Sequence, residues 1–320
     1  MRPNPTSSDT SRSPGFEALD SGGKSAPASL LDATLARPRP IRIYPRSGWQ
    51  PIDLGELWRY RELLWILASR DVKVRYKQTA LGAAWAVIQP VLTMIVFSIF
   101  FGNLAGLGSR IEGGIPYPLY TFCALLPWQL FSSSLTGAGS SLVGNQSLIS
   151  KVYFPRLVIP LASILGSLVD FLVACVVLVA MIVGYGLMGH PVAPSWALLT
   201  VPLFVVLAFA TALAVGLWLS ALNVEYRDVR YVIPFVVQFW MFVTPIAYPS
   251  SLVRDRSLTL YRLYALNPMV GVVDGFRWAV LGRAPAPGGA LVVSVAAMAV
   301  LLIGGLFYFR RMERTFADHV

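Results

Sequence analysis

Residues 56–82 read ELWRYRELLWILASRDVKVRYKQTALG and end where the first long apolar segment begins. Apolar residues recur close to the spacing of one helical face, and most charged residues fall elsewhere. A helix with Trp and Leu on one side and Lys and Arg on another is typical of a membrane surface. The stretch therefore predicts an amphipathic helix that leads into a membrane span. The apolar positions are Leu54, Leu57, Trp58, Leu64, Trp65, Ala68 and Val72.

The composition is that of an integral membrane protein. Of 320 residues, 56% are hydrophobic and 13% are charged, and the mean hydropathy is +0.63. The net charge is +10, but the basic residues cluster beside apolar segments, so they indicate topology rather than nucleic-acid binding. Cys123 and Cys175 lie in apolar segments, and the chain has only two histidines, which excludes a disulfide framework and a multi-His or Cys-rich metal site.

Six apolar segments are long enough to cross a membrane as helices. The basic residues follow the positive-inside rule when both termini and the second and fourth loops are cytoplasmic. We therefore predict an all-α integral membrane protein with a disordered cytoplasmic tail over 1–47, amphipathic interfacial and gate helices over 48–80, and a cytoplasmic tail over 311–320. The predicted transmembrane helices are 81–101, 118–142, 159–187, 196–222, 231–248 and 290–309.

The loop between the fifth and sixth spans carries several arginines on the side predicted to be outside. A seventh span over 264–281 would bury Asp274 and Arg277 and cross Pro268, which is costly. We expect instead two short re-entrant helices that meet near 267–268. Irregular backbone at that depth must be covered by protein or line a water-filled cavity.

Asp170 is the one formally charged residue within the six predicted spans. It is either a proton or substrate contact or a carboxyl group that braces helix packing through Ser, Thr or Gln neighbours, and the second interpretation is favoured because no span offers a cation.

Catalytic chemistry is poorly supported. The acidic residues predicted to be outside, Glu112, Asp255 and Asp274, are far apart in sequence. The segment SGGKS (21–25) resembles the end of a phosphate-binding loop. Ala18 stands where that motif has its first glycine, so we interpret the segment as a flexible linker.

Aromatic side chains near the span ends have two interpretations. One is an interfacial belt with ordinary lipid-facing residues. The other is a channel whose aromatic faces stack on the apolar faces of sugars. The candidate channel residues are Phe97, Phe101, Trp128, Phe239, Trp240 and Phe242.

The second loop reads NQSLISKVYFPRLVIP from Asn145 and predicts a short helix that docks on a soluble partner. The fourth loop, NVEYRDVRYVIP from Asn223, is interpreted as a solvated turn.

Five segments together resemble the membrane subunit (permease) of type-2 ABC exporters for polysaccharides, the family of O-antigen, capsular polysaccharide and teichoic acid permeases. The resemblance covers about 54–315. The segments are RDVKVRYKQTALGAAWAVIQP (70–90), LPWQLFSSSL (126–135), NQSLISKVYFPRLVIPLAS (145–163), YRDVRYVIPFVVQFWMFVTPIAYP (226–249) and LNPMVGVVDGFR (266–277).

The resemblance implies a transporter subunit of the bacterial inner membrane, not an enzyme, in which two copies form a channel. Two copies of a separate ABC ATPase hold the ATP and Mg²⁺, so no cofactor is expected in this chain. The substrate implied is a polysaccharide linked to polyprenyl diphosphate, as in lipopolysaccharide biosynthesis. The implied coupling helix contributes Leu148, Lys151, Val152, Tyr153, Phe154 and Arg156.

The basic segment before the first span has two interpretations within this resemblance. It contacts the substrate diphosphate as a gate, or it enforces topology and meets anionic membrane lipids. Its residues are Arg70, Lys73, Arg75, Tyr76 and Lys77. The alternative functions are a type-2 ABC permease for drugs or small lipids and, with less support, a membrane glycan polymerase or glycosyltransferase.

Overall fold

The computed structural model describes residues 54–77, 84–190 and 195–313, and every regular element in these ranges is a helix. The predicted all-α fold is therefore confirmed for these ranges. The predicted tail over 1–47 and the SGGKS segment lie outside them. The helices are α1 (Leu54–Arg59), α2 (Arg61–Lys77), α3 (Ala84–Phe97), α4 (Tyr117–Gly144), α5 (Gln146–Lys151), α6 (Val158–Leu187), α7 (Val201–Glu225), α8 (Val229–Phe242), α9 (Ser251–Arg256), α10 (Leu258–Tyr264), α11 (Pro268–Leu281) and α12 (Gly288–Met312).

Shorter elements extend or connect these helices. A π-helical segment, Ser98–Leu104, continues α3, and a 3₁₀ segment, Trp196–Thr200, leads into α7. Two further 3₁₀ turns, Leu107–Arg110 and Glu112–Gly114, connect α3 to α4.

Helix α4 is the centre of the bundle, with α3, α6, α7 and α11 packed around it. Leu119, Phe122, Phe131 and Leu135 are fully buried along it. Its second half is rich in Ser, Gly and Thr, which lets neighbouring helices approach closely. A helix enclosed by protein on most sides needs no lipid-compatible surface, so α4 is less apolar than α3, α6 and α7.

Four helices of the described residues are long and apolar enough to cross a membrane, which identifies an integral membrane protein. They are Ala84–Leu104, Val158–Leu187, Trp196–Glu225 and Gly288–Met312. They overlap the first, third, fourth and sixth predicted spans. The predicted second span is occupied by α4.

The predicted fifth span, 231–248, is longer than the helix that forms there. Helix α8 has 14 residues and ends at Phe242. Pro245 explains the early end, because proline lacks a backbone N–H and disfavours helical geometry in the residue before it. The chain then runs irregularly until α9 begins at Ser251.

The predicted break at 267–268 is present, but three short helices surround it rather than two. Helix α10 ends at Tyr264, and Asn267 caps α11 by accepting from the Met269 N–H at 3.0 Å. The same Asn267 oxygen accepts from the Trp240 indole at 2.8 Å, and its amide donates to the Val243 carbonyl at 3.1 Å. One side chain therefore caps α11 and ties it to the end of α8.

Arg277, whose burial counted against a seventh span, lies in the interior of the bundle. Its side chain is 1% exposed, and its guanidinium donates to the carbonyls of Tyr120 at 3.1 Å, of Ile246 at 2.6 Å, and of Pro245. The guanidinium carbon lies 3.7 Å from the centre of the Tyr120 ring, and an Asp274 carboxylate oxygen lies 3.8 Å from the nearest guanidinium nitrogen. The irregular backbone after α8 supplies carbonyls that replace water around this buried charge.

We predict that Arg277→Met destabilises the protein by about 3 kcal/mol, because it leaves buried carbonyls without donors and Asp274 without its cation. The free energy of unfolding in detergent, followed by tryptophan fluorescence, measures the effect. Arg262→Met, at an exposed position in α10, is the matched control and should change stability little. Equal stability of the two variants would contradict the role given to Arg277.

Helices α7 and α12 approach closely at Gly305. A methyl group there would lie 2.6 Å from the Ala214 carbonyl oxygen and 3.0 Å from the Trp218 ring. We predict that Gly305→Ala separates the two helices and lowers the thermal unfolding temperature of the detergent-solubilised protein. Gly289→Ala, at an open position in α12, should leave that temperature unchanged or raised. Equal unfolding temperatures would show that the close approach does not matter.

Candidate functional site at the basic end of the bundle

The predicted amphipathic stretch forms α1 and α2, which are separated at Tyr60. Its apolar residues differ in how far they are buried. Leu67 and Ala68 are buried against the bundle, whereas Trp58 and Trp65 are 70% and 71% exposed. The stretch lies between the bundle and its surroundings, so apolar residues are needed on both sides. Exposed tryptophans are typical of a membrane interface.

The second half of α2, residues 70–77, lies along α6 and is called the gate segment below. The two helices run in the same direction, since Val72 lies beside Gly166 and Arg75 contacts Asp170. A Cβ atom built on Gly166 would lie 3.9 Å from a Val72 methyl carbon. The small residue therefore lets the gate segment approach the backbone of α6.

Asp170 binds two residues of the gate segment. One carboxylate oxygen accepts from the Arg75 guanidinium and the other accepts from the Tyr76 hydroxyl. The expected bracing by Ser, Thr or Gln neighbours is wrong, because a cation arrives from a helix outside the apolar spans. Burial, with the hydrogen bond to Asp170, raises the pKa of Tyr76 to about 12, so its phenol stays protonated and donates.

Arg70 is also engaged within the protein. Its guanidinium donates to Asp71 at 2.9 Å and to the Asn145 side-chain oxygen at 2.7 Å. Asn145 stands between α4 and α5 and donates to the Ser141 carbonyl at 2.9 Å. Lys73 and Lys77, one turn apart, are exposed. The two arginines therefore orient the gate segment, and the two lysines face outward.

The six predicted coupling residues divide into an exposed tip and a buried anchor. Tyr153 and Val152 are 84% and 52% exposed, and Lys151 is exposed with them. Phe154 is 5% exposed and packs with Leu142 and other core residues at this end of the bundle. Leu148 is half-buried beside the same core.

Arg156 fastens the anchor to the last helix. Its guanidinium donates to the Glu313 carbonyl, and its backbone N–H donates to a Glu313 carboxylate oxygen at 3.4 Å. Arg310 lies 3.5 Å from the other carboxylate oxygen. Phe154 and Arg156 therefore connect the exposed tip to α4, α6 and α12.

The candidate channel aromatics do not form one surface. Trp128 and Phe97 are 3% and 7% exposed and lie in the core. Trp240 packs against buried Phe131 with 5.1 Å between ring centres. Phe101 is half-buried against Phe97, while Phe239 and Phe242 are more than half exposed. The broadly exposed members of the set therefore belong to α8.

The acidic residues at the opposite end come partly together. Glu112 and Asp274 line one small cavity with Arg254 and Arg277, and Asp255 lies at the surface beside Arg254. No group of His, Cys, Asp and Glu in the described ranges could hold a metal ion.

Asn145 and Glu313 were not predicted as site residues. A single charged residue in an apolar helix indicates that another group of the protein binds it, and Asp170 is such a residue. The sequence does not show which residue binds Asp170, because Arg75 is 95 positions away and meets it only through the packing of the two helices.

The sequence matches a known family and several of its members. Residues 62–281 match the model of the ABC-2 type transporter family. The chain belongs to this family. It is 31% identical over 269 residues to the O-antigen export system permease protein RfbA of Myxococcus xanthus, covering 83% of this chain and 98% of the relative.

Two other relatives cover most of the family region. An O-antigen export system permease protein RfbA of Klebsiella pneumoniae is 28% identical, over 70% of this chain and 81% of the relative. The polysialic acid transport protein KpsM of Escherichia coli is 24% identical, over 77% of this chain and 92% of the relative. The family-matched region contains the gate segment, the whole of α5 and the Asn267 break.

We predict that Phe154→Ala destabilises this permease by about 3 kcal/mol, because it opens a cavity in the core around Leu142. Tyr153→Ala removes an exposed ring and should change stability by less than about 0.5 kcal/mol. Unfolding in detergent measures both. An equal loss in the two variants would contradict the division into anchor and tip.

Proposed function

We propose that this ABC-2 family member is the transmembrane permease of an ATP-driven exporter that moves a lipid-linked polysaccharide of the O-antigen or capsule type. The observation that carries the proposal is the coverage of RfbA, whose nearly full length aligns with this chain. The names of the three relatives all refer to O-antigen export or polysialic acid transport. An apolar bundle with an exposed tip at one end suits a subunit driven by a soluble partner.

The proposed topology has six spans in the bacterial inner membrane with both termini cytoplasmic. Helices α4 and α8 are the two spans that complete this set of six with the four apolar helices. Helix α4 is shielded by its neighbours, and α8 is completed by the irregular backbone around Arg277. Helices α9–α11 are the re-entrant part, since their polar break is covered by protein contacts from Asn267 and Arg277.

A separate ABC ATPase, in two copies, binds the exposed tip formed by Lys151, Val152 and Tyr153. It holds the ATP and Mg²⁺. Phe154 and Arg156 carry its movement into the bundle. A second copy of the permease completes the channel, and the exposed aromatic side of α8, with Phe239 and Phe242, is the part of this chain best suited to line it.

The substrate is a glycan attached to polyprenyl diphosphate. Lys73 and Lys77 are exposed beside the inner ends of the spans and attract the diphosphate as point charges. Arg70 and Arg75 hold the gate segment in place in the substrate-free protein.

We predict that Tyr153→Ala lowers glycan export about ten-fold without lowering the amount of permease in the membrane, because buried interface aromatics dominate docking energy. Surface glycan on intact cells and co-purification of the ATPase are the measurements. Leu199→Ala, an exposed apolar position at the other end of the bundle, is the control. Normal export with normal ATPase binding would exclude the tip as the docking site, and normal surface glycan without this permease would overturn the function.

A further inference from the structure

We propose that Asp170 is the resting counter-ion of a diphosphate-binding arginine. The diphosphate of the lipid substrate binds Arg75 and breaks its contact with Asp170. The gate segment is thereby loosened from α6. The inference rests on the proposed function and deepens it, because it names the residue that recognises the diphosphate and the contact that recognition breaks.

The first support is the geometry of the Arg75–Asp170 pair. The Arg75 side chain is 43% exposed, whereas that of Asp170 is 19% exposed. The guanidinium therefore binds the carboxylate while part of the Arg75 side chain remains accessible to solvent. An approaching anion meets Arg75 without first entering the bundle.

The second support is the chemistry of exchange. A guanidinium forms paired hydrogen bonds with carboxylate and with phosphate oxygens alike. A diphosphate has more negative charge and more acceptor oxygens than one carboxylate. Lys73 and Lys77 are exposed two positions before and after Arg75 on the same helix, and their positive charge attracts an anion towards this end of the bundle.

The third support is what remains after the exchange. Tyr76 continues to donate to Asp170, so the carboxylate keeps a partner inside the protein. A neutral hydroxyl donor is weaker than a charged guanidinium. The gate segment is then held by Tyr76, by the hydrogen bond from Arg70 to Asn145 and by the contact of Val72 with Gly166, and it moves away from α6 more often.

A disulfide reports this movement directly. A Cβ atom at position 166 lies 4.0 Å from the Asp71 Cβ, which is within the range that a disulfide requires. The test chain carries Asp71→Cys and Gly166→Cys, with Cys123→Ala and Cys175→Ala, in phosphatidylcholine vesicles. The rate of disulfide formation under a mild oxidant measures how often the gate segment lies on α6.

A second pair controls for folding and for the oxidant. Gly137→Cys and Ser163→Cys join α4 to α6, where the Cβ atoms would be 3.7 Å apart. This pair lies outside the gate segment. The rate of disulfide formation in this control pair should stay constant in every condition and variant below.

Undecaprenyl diphosphate should slow the gate disulfide about ten-fold, while vesicles with added phosphatidylglycerol should have little effect. An equal effect of phosphatidylglycerol, or no effect of the lipid diphosphate, would overturn the proposal. Inorganic pyrophosphate shows whether the site requires a lipid-linked diphosphate or also binds the free anion. If it acts as strongly as the lipid, recognition by Arg75 stands and the assignment to a lipid falls.

Two variants test the named residues. Asp170→Asn should slow the gate disulfide without any ligand, because the charged contact is lost. Arg75→Gln combined with Asp170→Asn keeps a neutral hydrogen bond, so the disulfide should form but no longer respond to undecaprenyl diphosphate. A normal rate in the single variant, or a retained response in the double variant, would overturn the assignment.

Export in cells separates this inference from the proposed function. The chain with Cys123→Ala and Cys175→Ala is tested for surface glycan. If it exports glycan but the gate disulfide ignores the lipid diphosphate, the inference on Asp170 alone fails. If no glycan is exported by this chain or by the natural one, the proposed function fails.

Discussion

A charged group among apolar helices needs partners from the protein itself, and this constraint governs both ends of the bundle. At one end, Arg277 donates to the Pro245 and Ile246 carbonyls, which the interruption after α8 leaves free, and to the Tyr120 carbonyl of α4. At the other end, Asp170 takes a cation and a hydroxyl from the gate segment. The site around Arg277 is closed to solvent, since 1% of the arginine side chain is exposed. The site around Asp170 is partly open, which suits a contact that is made and broken.

The interruption after α8 and the buried arginine depend on each other. Without Pro245 the helix would continue and its carbonyls would be used within it. Without Arg277 the freed carbonyls would be buried and unpaired, which is costly. Asn267 adds the cap of α11 and a hydrogen bond to Trp240. Helix α11 is packed into the apolar core along most of its length, and these polar contacts fix where it begins and how it meets the end of α8.

Features that depend on local sequence could be predicted, and features that depend on distant contacts could not. Apolar runs predicted the positions of the four apolar helices, and Pro268 after Asn267 predicted the break before α11. The early end of α8 was missed although Pro245 marks it, because the apolar run continues past that residue. The cost assigned to burying Arg277 assumed an isolated charge, whereas three carbonyls and the Tyr120 ring surround it. The partners of Asp170 could not be predicted, since neither the direction of α2 nor its depth follows from periodicity.

One apolar core joins the two functional parts at the basic end of the bundle. Leu67 and Ala68 of α2 pack in the same cluster as Phe154 of the coupling anchor and Phe309 of the last helix. A displacement of the anchor therefore changes the packing of α2 about two turns before Arg75. The proposed ATPase acts on the tip at Tyr153, and the proposed diphosphate acts at Arg75, so both bias the position of one helix. Close-packed cores change between discrete arrangements. ATPase docking at the tip and diphosphate binding at Arg75 are therefore coupled through the position of α2.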